Sequence, residues 1–336
     1  MAVRVAINGF GRIGRLVLRA ALERKGREVE VVAINDLGSS EINAHLLRHD
    51  SVHGPFAGTV KVTKTGLNAN GRAIQVFAER DPAKLPWAKL KIDVVAECTG
   101  IFTKRSDAEK HLAAGAARVL ISAPATDEDI TVCYGVNDDK LKKAHRVVSN
   151  ASCTTNCLAP VAYVMDQAVG IERGYMTTVH SYTGDQSLVD TLHRDFRRAR
   201  AAALNMIPTS TGAAKAVGLV LPHLNGKLDG TAIRVPTANV SMIDFKFVAK
   251  RATTPAALNE AAKRAAATNR LKGILVVNEA PLVSSDFNHS PASATFDATQ
   301  TQVIEGTLCR VLAWYDNEWG FANRMVDTAG AVGRLG

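Results

Sequence analysis

The sequence predicts an α/β protein in which a doubly wound parallel sheet is followed by an α+β domain with a largely antiparallel sheet. Three observations predict this fold class. Short β-branched runs alternate with helical patterns in the first half, as in βαβ units. A glycine-rich turn follows the first of these runs. After Asn150 the strand candidates lengthen while the helices become fewer, which is typical of an antiparallel sheet.

The first half begins with a strand and a helix. Val3–Asn8 is a continuous apolar run, as expected of a strand buried on both faces of a parallel sheet. Ile13–Lys25 then has apolar residues at helical spacing on one face. The later elements are predicted in the same way, with helices at Glu41–Arg48 and Asp107–Ala114 and strands at Glu30–Asn35, Val60–Lys64, Ala73–Phe77, Val94–Cys98, Arg118–Ser122 and Arg146–Ser149.

The second half is predicted to open with a helix from Cys153 to Gln167. Longer strands and three further helices follow. The strands are expected at Tyr175–Tyr182, Ala232–Pro236, Val240–Lys250, Gly273–Val277 and Thr307–Tyr315, and the helices at Gly212–Leu219, Pro255–Ala267 and Trp319–Val332. We therefore expect a dinucleotide-binding domain at 1–150, a second domain at 151–317, and a C-terminal helix at 318–336 that packs back on the first domain.

Length and composition indicate a folded protein of two domains. The chain has 336 residues, 46% of them hydrophobic and 22% charged. No apolar run is long enough to span a bilayer, and the N-terminus lacks the pattern of a secretory signal, so we expect no membrane partner and a cytoplasmic location. The five scattered cysteines form neither a disulfide framework nor a zinc pattern, so no metal is expected.

The net charge of +9 indicates either a polyanionic partner or a site for small anions. The densest basic stretch, His193–Arg200, is short and interrupted, and it does not resemble a nucleic-acid-binding module. Phosphate-bearing small molecules are therefore favoured, and no nucleic acid is expected as the primary partner.

The glycine-rich turn has the context of a dinucleotide site. Gly9, Gly11 and Gly14 lie between the first strand and the first helix, where they allow a tight turn and close approach of the pyrophosphate to the helix N-terminus. Asp36 ends the second strand, where a carboxylate accepts hydrogen bonds from a ribose and repels a 2′-phosphate. This Rossmann-type pattern favours NAD over NADP. The alternative is a structural turn with a capping aspartate.

Cys153 lies where a strand ends and a helix begins. A helix N-terminus stabilises a thiolate, so we expect the pKa of this thiol to be lowered. Ser152 and Thr154 add hydroxyls and backbone donors beside it. The alternative is a buried, inert cysteine. His180, which is followed by a polar loop, is the candidate base for this thiol, and a structural histidine is its alternative.

Seven segments now identify a resemblance. NGFGRIGR, SNASCTTNCLAP, HSYTGDQ, RRARAAA, STGAAKAVGLVLP, LDGTAIRVPT and WYDNEWGFANR occur in this order. Together they resemble the phosphorylating glyceraldehyde-3-phosphate dehydrogenases of the glycolytic, bacterial type, over essentially the whole chain. The segment ASCTTNCL is specific to this family and its close relatives.

The resemblance implies a set of site residues. Cys153 is implied as the nucleophile and His180 as its base and later acid. Contacts with phosphate are implied for Ser152, Thr154, Thr183, Arg198, Thr211, Gly212 and Arg234. Contacts with NAD are implied for Arg12 and Ile13 at the pyrophosphate, Asp36 at the ribose, Arg80 and Ser122 near the adenosine, and Asn317 at the nicotinamide carboxamide.

The resemblance also implies the reaction. Glyceraldehyde 3-phosphate, NAD and inorganic phosphate would give 1,3-bisphosphoglycerate through a thiohemiacetal and a thioester on Cys153. A homotetramer is implied, with the stretch around Thr183–Ala203 reaching toward a neighbouring subunit's cofactor. The chain departs from relatives in two places. Thr191-Leu192 replaces a common Leu-Pro pair that bears on the choice between NAD and NADP, and Phe321 replaces a frequent tyrosine.

Two other functions are considered. Erythrose-4-phosphate dehydrogenase is similar and shares Cys153 and His180, but it usually lacks the threonine found here as Thr183, which favours the triose enzyme. The other alternative is an NAD-sensing or RNA-binding protein without catalysis. Such a protein would not need the cysteine, the histidine and both arginines together.

Overall fold

The computed structural model describes residues 2–24 and 28–335. The chain folds into two compact units, each described below by itself. The first comprises Met1–Tyr134, Asp138–Ala151 and Ala322–Gly336, and the second comprises Gly135–Asn137 and Ser152–Phe321. A separate role for each unit, with functional boundaries at 150 and 317, stays a prediction.

The first unit contains one large sheet. Its strands within the described residues are β1 Val3–Asn8, β2 Val29–Asn35, β3 Val60–Thr63, β4 Gly66–Ala69, β5 Arg72–Phe77, β6 Val94–Glu97, β7 Arg118–Ile121, β8 Ile130–Thr131 and β9 Val147–Ser149. Its helices are α1 Arg12–Glu23, α2 Ser40–Arg48, α3 Trp87–Leu90 and α4 Arg105–Ala113. The strand order is β3-β4-β5-β2-β1-β6-β7-β9-β8, and the pairs are parallel except β3–β4 and β4–β5.

The centre of this sheet is apolar, and a ligand is expected at the carboxyl ends of its central strands. Val5, Ala6 and Ile7 of β1 are fully buried, as expected of a strand covered on both faces. The chain passes from β1 to β2 on one side, while β6 pairs with β1 on the other side. Open α/β sheets bind ligands at the carboxyl ends of strands where the order reverses in this way. The predicted end of the first helix, Lys25, lies outside the described residues.

The second unit is built on a largely antiparallel sheet. Its described strands are β10 Ile171–Ser181, β11 Ile207–Ser210, β12 Leu228–Val235, β13 Ser241–Ala249, β14 Leu275–Asn278, β15 Ala294–Asp297, β16 Gln302–Ile304 and β17 Leu308–Tyr315. The order is β11-β12-β10-β13-β17-β15-β14, with β16 paired to β17. Only β10–β12 and β14–β15 are parallel among these described pairs. The predicted fold class is confirmed.

The helices of the second unit are α5 Cys153–Val169, α6 Ala213–Val220 and α7 Pro255–Ala266, and α8 Trp319–Gly333 begins at its end. The longest, α5, is buried over most of its length and packs on β13, β15 and β17. Burial of this helix fixes its first residue, Cys153, against the sheet. No helix in the described part of the chain is both long and apolar enough to cross a membrane.

Candidate active site

The glycine-rich turn joins β1 to α1 at the carboxyl edge of the first sheet. Gly9 has a φ of +88°, and a Cβ there would lie 2.7 Å from the backbone nitrogen of Thr99. A Cβ at Gly14 would lie 2.1 Å from the carbonyl oxygen of Gly9. Gly11 faces open space instead. Side chains are therefore excluded where the backbone packs closely, and the middle of the turn is open to a ligand.

A cavity of about 410 Å³ lies beside this turn. Of the predicted site residues, Gly9, Gly11, Asp36 and Arg80 line it. The Asp36 carboxylate is fixed by the backbone N–H groups of Phe10 and Gly38, each at 2.8 Å. Ser122 is not among the lining residues, and its hydroxyl contacts the Cys98 thiol.

Arg12 uses its side chain within the protein. Its guanidinium forms a two-point ion pair with Asp50, at 2.7 and 3.3 Å. Burial acts to raise the pKa of Asp50, but hydrogen bonds from the backbone of His53 and Val52 and from Arg12 hold it at about 2. Contact between Arg12 or its neighbour Ile13 and a pyrophosphate would therefore come from the backbone at the start of α1, where an anion is favoured.

Glu97, which the sequence did not single out, anchors the walls of this cavity. It is buried at the end of β6 and accepts hydrogen bonds from Asn8 Nδ2 at 2.6 Å and from the Thr99 backbone at 2.8 Å. Trp87 donates to His111 Nδ1, so the other ring nitrogen carries the proton and donates to Glu97 at 3.0 Å. Asn8 and Thr99 line the cavity. A buried carboxylate thus fixes two of its walls.

In the second unit, Cys153 and His180 lie together. The Ser152 hydroxyl caps α5 by accepting from the Thr155 backbone at 3.1 Å, which places Cys153 in the first turn. His180 lies near the end of β10, and its Nε2 is 3.5 Å from Cys153 Sγ. Its Nδ1 is 2.7 Å from the carbonyl oxygen of Ser181. Because a carbonyl only accepts, Nδ1 carries the proton and Nε2 presents a lone pair to the thiol.

The electrostatics of this pair favour the neutral forms. Burial raises the pKa of the Cys153 thiol, although the Thr154 hydroxyl and the charge of Arg234 act to lower it. Burial, with Arg234 next, lowers the pKa of His180 to about 4. The expectation that the helix N-terminus lowers the thiol pKa is therefore wrong, because desolvation outweighs it. His180 Nε2 is therefore placed to accept the thiol proton.

Tyr315, which was not predicted as a site residue, contacts His180 and the neighbour of Cys153, Thr154. Its hydroxyl lies 2.9 Å from the hydroxyls of both Thr154 and Thr178, and its ring packs edge-on against His180. Burial raises the pKa of Tyr315 well above its ordinary value. The tyrosine is therefore a neutral group that ties the start of α5 to β10.

Asn317 is held with a defined polarity. Its Oδ1 accepts from the Ser181 hydroxyl at 2.8 Å and from the Ser241 hydroxyl at 3.0 Å. Ser241 also accepts from the Ser181 backbone at 3.0 Å. Two donors on the amide oxygen leave the amide nitrogen as the end that can donate to a ligand, as contact with a carboxamide oxygen requires.

The two predicted arginines converge. Arg234 lies on β12 directly opposite His180 on β10, which explains its effect on both members of the thiol–imidazole pair. Its Nη1 is 2.8 Å from the Thr183 hydroxyl. Arg198 Nη1 is 2.9 Å from Asp185, and Arg234 Nη1 is 3.8 Å from the same carboxylate. Charge and hydroxyl groups for an anion are thus gathered beside the thiol.

Thr211 and Gly212 lie at the start of α6. Gly212 is the N-cap, and the Thr211 hydroxyl accepts from the backbone of Ala213 at 3.2 Å. Arg198 reaches this segment through the carbonyl oxygen of Ser210, at 3.3 Å. The structure therefore joins Arg198 to the segment of Thr211 and Gly212, for which phosphate contacts stay a prediction. Within the described residues, no group of three or more His, Cys, Asp or Glu side chains could hold a metal ion.

Two family models match the chain. "Glyceraldehyde 3-phosphate dehydrogenase, NAD binding domain" matches residues 3–105, and "Glyceraldehyde 3-phosphate dehydrogenase, C-terminal domain" matches residues 152–317. The glycine turn, the start of α1 and the fixed Asp36 carboxylate fit the first description, because they suit a pyrophosphate and a ribose. The cofactor is NAD.

Several full-length relatives carry the same name. Glyceraldehyde-3-phosphate dehydrogenase of Xanthobacter flavus is 65% identical over 336 residues, and that of Cereibacter sphaeroides is 60% identical over 335 residues. Glyceraldehyde-3-phosphate dehydrogenase 1 of Bacillus subtilis is 58% identical over 337 residues. Each alignment covers 100% of both chains. With both family models and these relatives in agreement, the chain belongs to the glyceraldehyde-3-phosphate dehydrogenase family.

Proposed function

We propose that this chain oxidises glyceraldehyde 3-phosphate with NAD and inorganic phosphate, giving 1,3-bisphosphoglycerate in glycolysis or gluconeogenesis. The observation that carries the proposal is the 3.5 Å approach of Cys153 Sγ to the unprotonated Nε2 of His180. A thiol and a base in this arrangement form an activated nucleophile. The named relatives support the identity of the aldehyde.

The first step uses the pair as nucleophile and acid. His180 takes the thiol proton, and Cys153 Sγ forms a bond to the aldehyde carbon. The carbonyl oxygen receives the proton from His180, which gives a neutral thiohemiacetal. Arg234 favours the transient thiolate through its charge, as its effect on the thiol pKa indicates.

The second step removes the hydroxyl proton of the thiohemiacetal to His180. NAD, when bound, supplies the hydride acceptor, and the product on Cys153 is a thioester. Gly9, Gly11, Gly14 and Asp36 would hold this cofactor, with the backbone of Arg12 and Ile13 at the pyrophosphate, Arg80 and Ser122 toward the adenosine, and Asn317 at the carboxamide.

The last step transfers the acyl group to phosphate. A phosphate oxygen bonds to the thioester carbon, the C–S bond breaks, and Cys153 leaves as a thiolate that regains its proton. The anions would be held by Ser152, Thr154, Thr183, Arg198, Thr211, Gly212 and Arg234. Arginine and hydroxyl donors suit tetrahedral anions because they bind several oxygens at once.

The alternatives are less well supported. Thr183 accepts from Arg234 at 2.8 Å, which supports a role for Thr183 in phosphate binding and so favours the phosphorylating triose enzyme over erythrose-4-phosphate dehydrogenase. The paired Cys153 and His180 favour an enzyme over a protein that only senses NAD or binds RNA.

A homotetramer in the cytoplasm is part of the proposal. One segment exposes apolar side chains that are each at least 71% accessible, namely Leu188, Val189, Leu192, Phe196, Leu204 and Met206. Large exposed apolar side chains concentrated in one segment are typical of a subunit interface. Light scattering after size-exclusion chromatography measures the assembly, and Phe196→Asp should shift it toward smaller species.

An absorbance assay of NADH tests the reaction. Wild-type protein should form NADH from glyceraldehyde 3-phosphate only slowly when phosphate and arsenate are absent. With phosphate present, it should oxidise glyceraldehyde 3-phosphate faster than erythrose 4-phosphate. Cys153→Ser should abolish turnover while NAD binding, measured by calorimetry, is kept. Turnover independent of phosphate would refute the phosphorylating reaction, and retained turnover in the serine variant would refute the covalent steps.

A further inference from the structure

Asp185 places a carboxylate between the two arginines of the anion site. Its Oδ2 lies 2.9 Å from Arg198 Nη1, and its Oδ1 lies 3.8 Å from Arg234 Nη1. The Thr183 hydroxyl donates to the same Oδ1. Both arginine side chains are largely buried, at 20% and 13% exposure. A carboxylate of the chain itself thus lies between the two arginines that are expected to bind phosphate.

Donors beside this carboxylate are not fully used. Arg234 Nε and Gln186 Nε2 are buried and have no hydrogen-bond partner among the described residues. Other atoms of the same side chains meet each other, with Arg234 Nη1 3.0 Å from Gln186 Oε1. An unsatisfied buried donor is destabilising. A further acceptor with several oxygens would complete the arrangement, whereas the two oxygens of Asp185 do not.

We propose that Asp185 is an internal competitor for the anion subsite between Arg198 and Arg234, and that a phosphate group binds there by displacing its carboxylate. This inference rests on the proposed function, because it concerns the same phosphate site. Asp185 thereby weakens phosphate binding and makes a single negative charge a poor match for the subsite.

The charges and protons explain why displacement is required. Two guanidinium groups and one carboxylate leave one net positive charge, so a dianionic phosphate gains the full charge of both arginines only after Asp185 moves away. The Thr183 hydroxyl has one proton, which it donates to Asp185. That proton becomes available to a phosphate oxygen when the carboxylate leaves.

The position of Asp185 permits this movement. Its side chain is 45% exposed, while the arginines are held by other contacts, such as that of Arg198 Nε with the Thr209 hydroxyl at 3.0 Å. A site that binds phosphate only moderately suits an enzyme that must also release an acyl phosphate. Without Asp185 or a bound anion, the two guanidinium groups would repel each other. Burial and the charge of Arg198 lower the pKa of Arg234, while the charge of Asp185 raises it.

Asp185→Asn tests the proposal because it keeps the size of the side chain and removes its charge. Asp190→Asn is the matched control. Asp190 lies on the same exposed segment and pairs with Arg200 at 2.6 Å, so its replacement changes the net charge equally without touching the anion site. Calorimetry at fixed ionic strength gives the Kd for inorganic phosphate and for sulfate, and the NADH assay gives the KM for phosphate.

Asp185→Asn should bind phosphate and sulfate roughly tenfold more tightly than wild type, while Asp190→Asn stays within about twofold. Asp185→Ala should change in the same direction as Asp185→Asn. Unchanged or weaker binding in both variants would overturn the proposal and make Asp185 a group that holds the arginines in place. If wild-type turnover needs phosphate, unchanged or weaker anion binding in the two variants refutes only this inference. Wild-type turnover that ignores phosphate refutes the proposed function itself.

Discussion

His180 should make the stability of this protein sensitive to mild acid. The ordinary pKa of histidine is 6.5, and burial, assisted by Arg234, lowers the pKa of His180 to about 4. Between these values the unfolded chain binds a proton at this residue and the native protein does not. Stability therefore falls as the pH falls through this window, because protonation favours the unfolded state.

The magnitude follows from the two pKa values. A difference of one pKa unit corresponds to about 1.4 kcal/mol, so the whole window is worth roughly 3 kcal/mol. At a pH near 5, about 2 kcal/mol of this stability should already be lost relative to pH 7.5. His180 is only 5% exposed, so solvent does little to screen the effect.

Urea denaturation at several pH values between about 5 and 7.5 measures this loss. His180→Asn removes the titrating ring but can keep a hydrogen bond to the Ser181 carbonyl, which His180 donates to at 2.7 Å. His49→Gln, at the exposed C-cap of α2, is the control for loss of a histidine charge. The asparagine variant should lose about 2 kcal/mol less than wild type on acidification, and the control should follow wild type.

The comparison has a clear negative outcome. If wild type and His180→Asn lost equal stability between pH 7.5 and 5, burial would not lower the pKa of His180. The hydrogen bond to the Ser181 carbonyl would still direct the Nε2 lone pair of the neutral ring to Cys153.

Three further substitutions each test a contact within one of the two units. Tyr315→Phe should lower the free energy of unfolding by roughly 1 to 3 kcal/mol, because its hydroxyl joins two buried threonines; urea denaturation without a loss would contradict this role. Ser241→Ala leaves the Ser181 N–H without its acceptor and removes one hydrogen bond that orients the Asn317 amide. Because Asn317 is proposed to contact the nicotinamide carboxamide, the Kd for NAD should rise while the Kd for ADP-ribose, which lacks the nicotinamide, stays constant. Equal changes for both ligands would argue against this role of Asn317. Gly14→Ala puts a methyl group 2.1 Å from the Gly9 oxygen, so roughly 1 to 3 kcal/mol of stability should be lost in the same denaturation experiment, and a neutral result would show that the turn can relax.

The sequence predicted those features that depend on neighbouring residues. Apolar runs and helical spacing gave β1 with its observed bounds and α5 with the observed first residue, Cys153. The glycine turn was predicted because its conformation depends on residues of the turn itself. Short elements were missed where local signals are weak. β15, with the sequence ATFD, was missed although it is fully buried, because only packing against the rest of the sheet specifies it.

The resemblance also named residues of the site, but it did not predict which side chains these residues contact. Tyr315 meets Thr154 across 161 positions of the chain, and Asn317 meets Ser181 across 136. Asp185 stood within a quoted motif, yet its charge was paired to an arginine only by the folded loop. Such pairs depend on strand register and helix packing, which no local pattern records.

Cys153 illustrates the difference between what the sequence and the tertiary structure determine. Its place at a helix start was determined by the sequence, because the N-cap Ser152 and the helix that follows are local features. Its pKa was decided by the tertiary structure. The helix start alone was expected to lower that pKa, but the surrounding protein partly shields the thiol from water and so raises its pKa. Desolvation is the sum of contributions from distant segments, so only the packed structure could show the direction of this pKa shift.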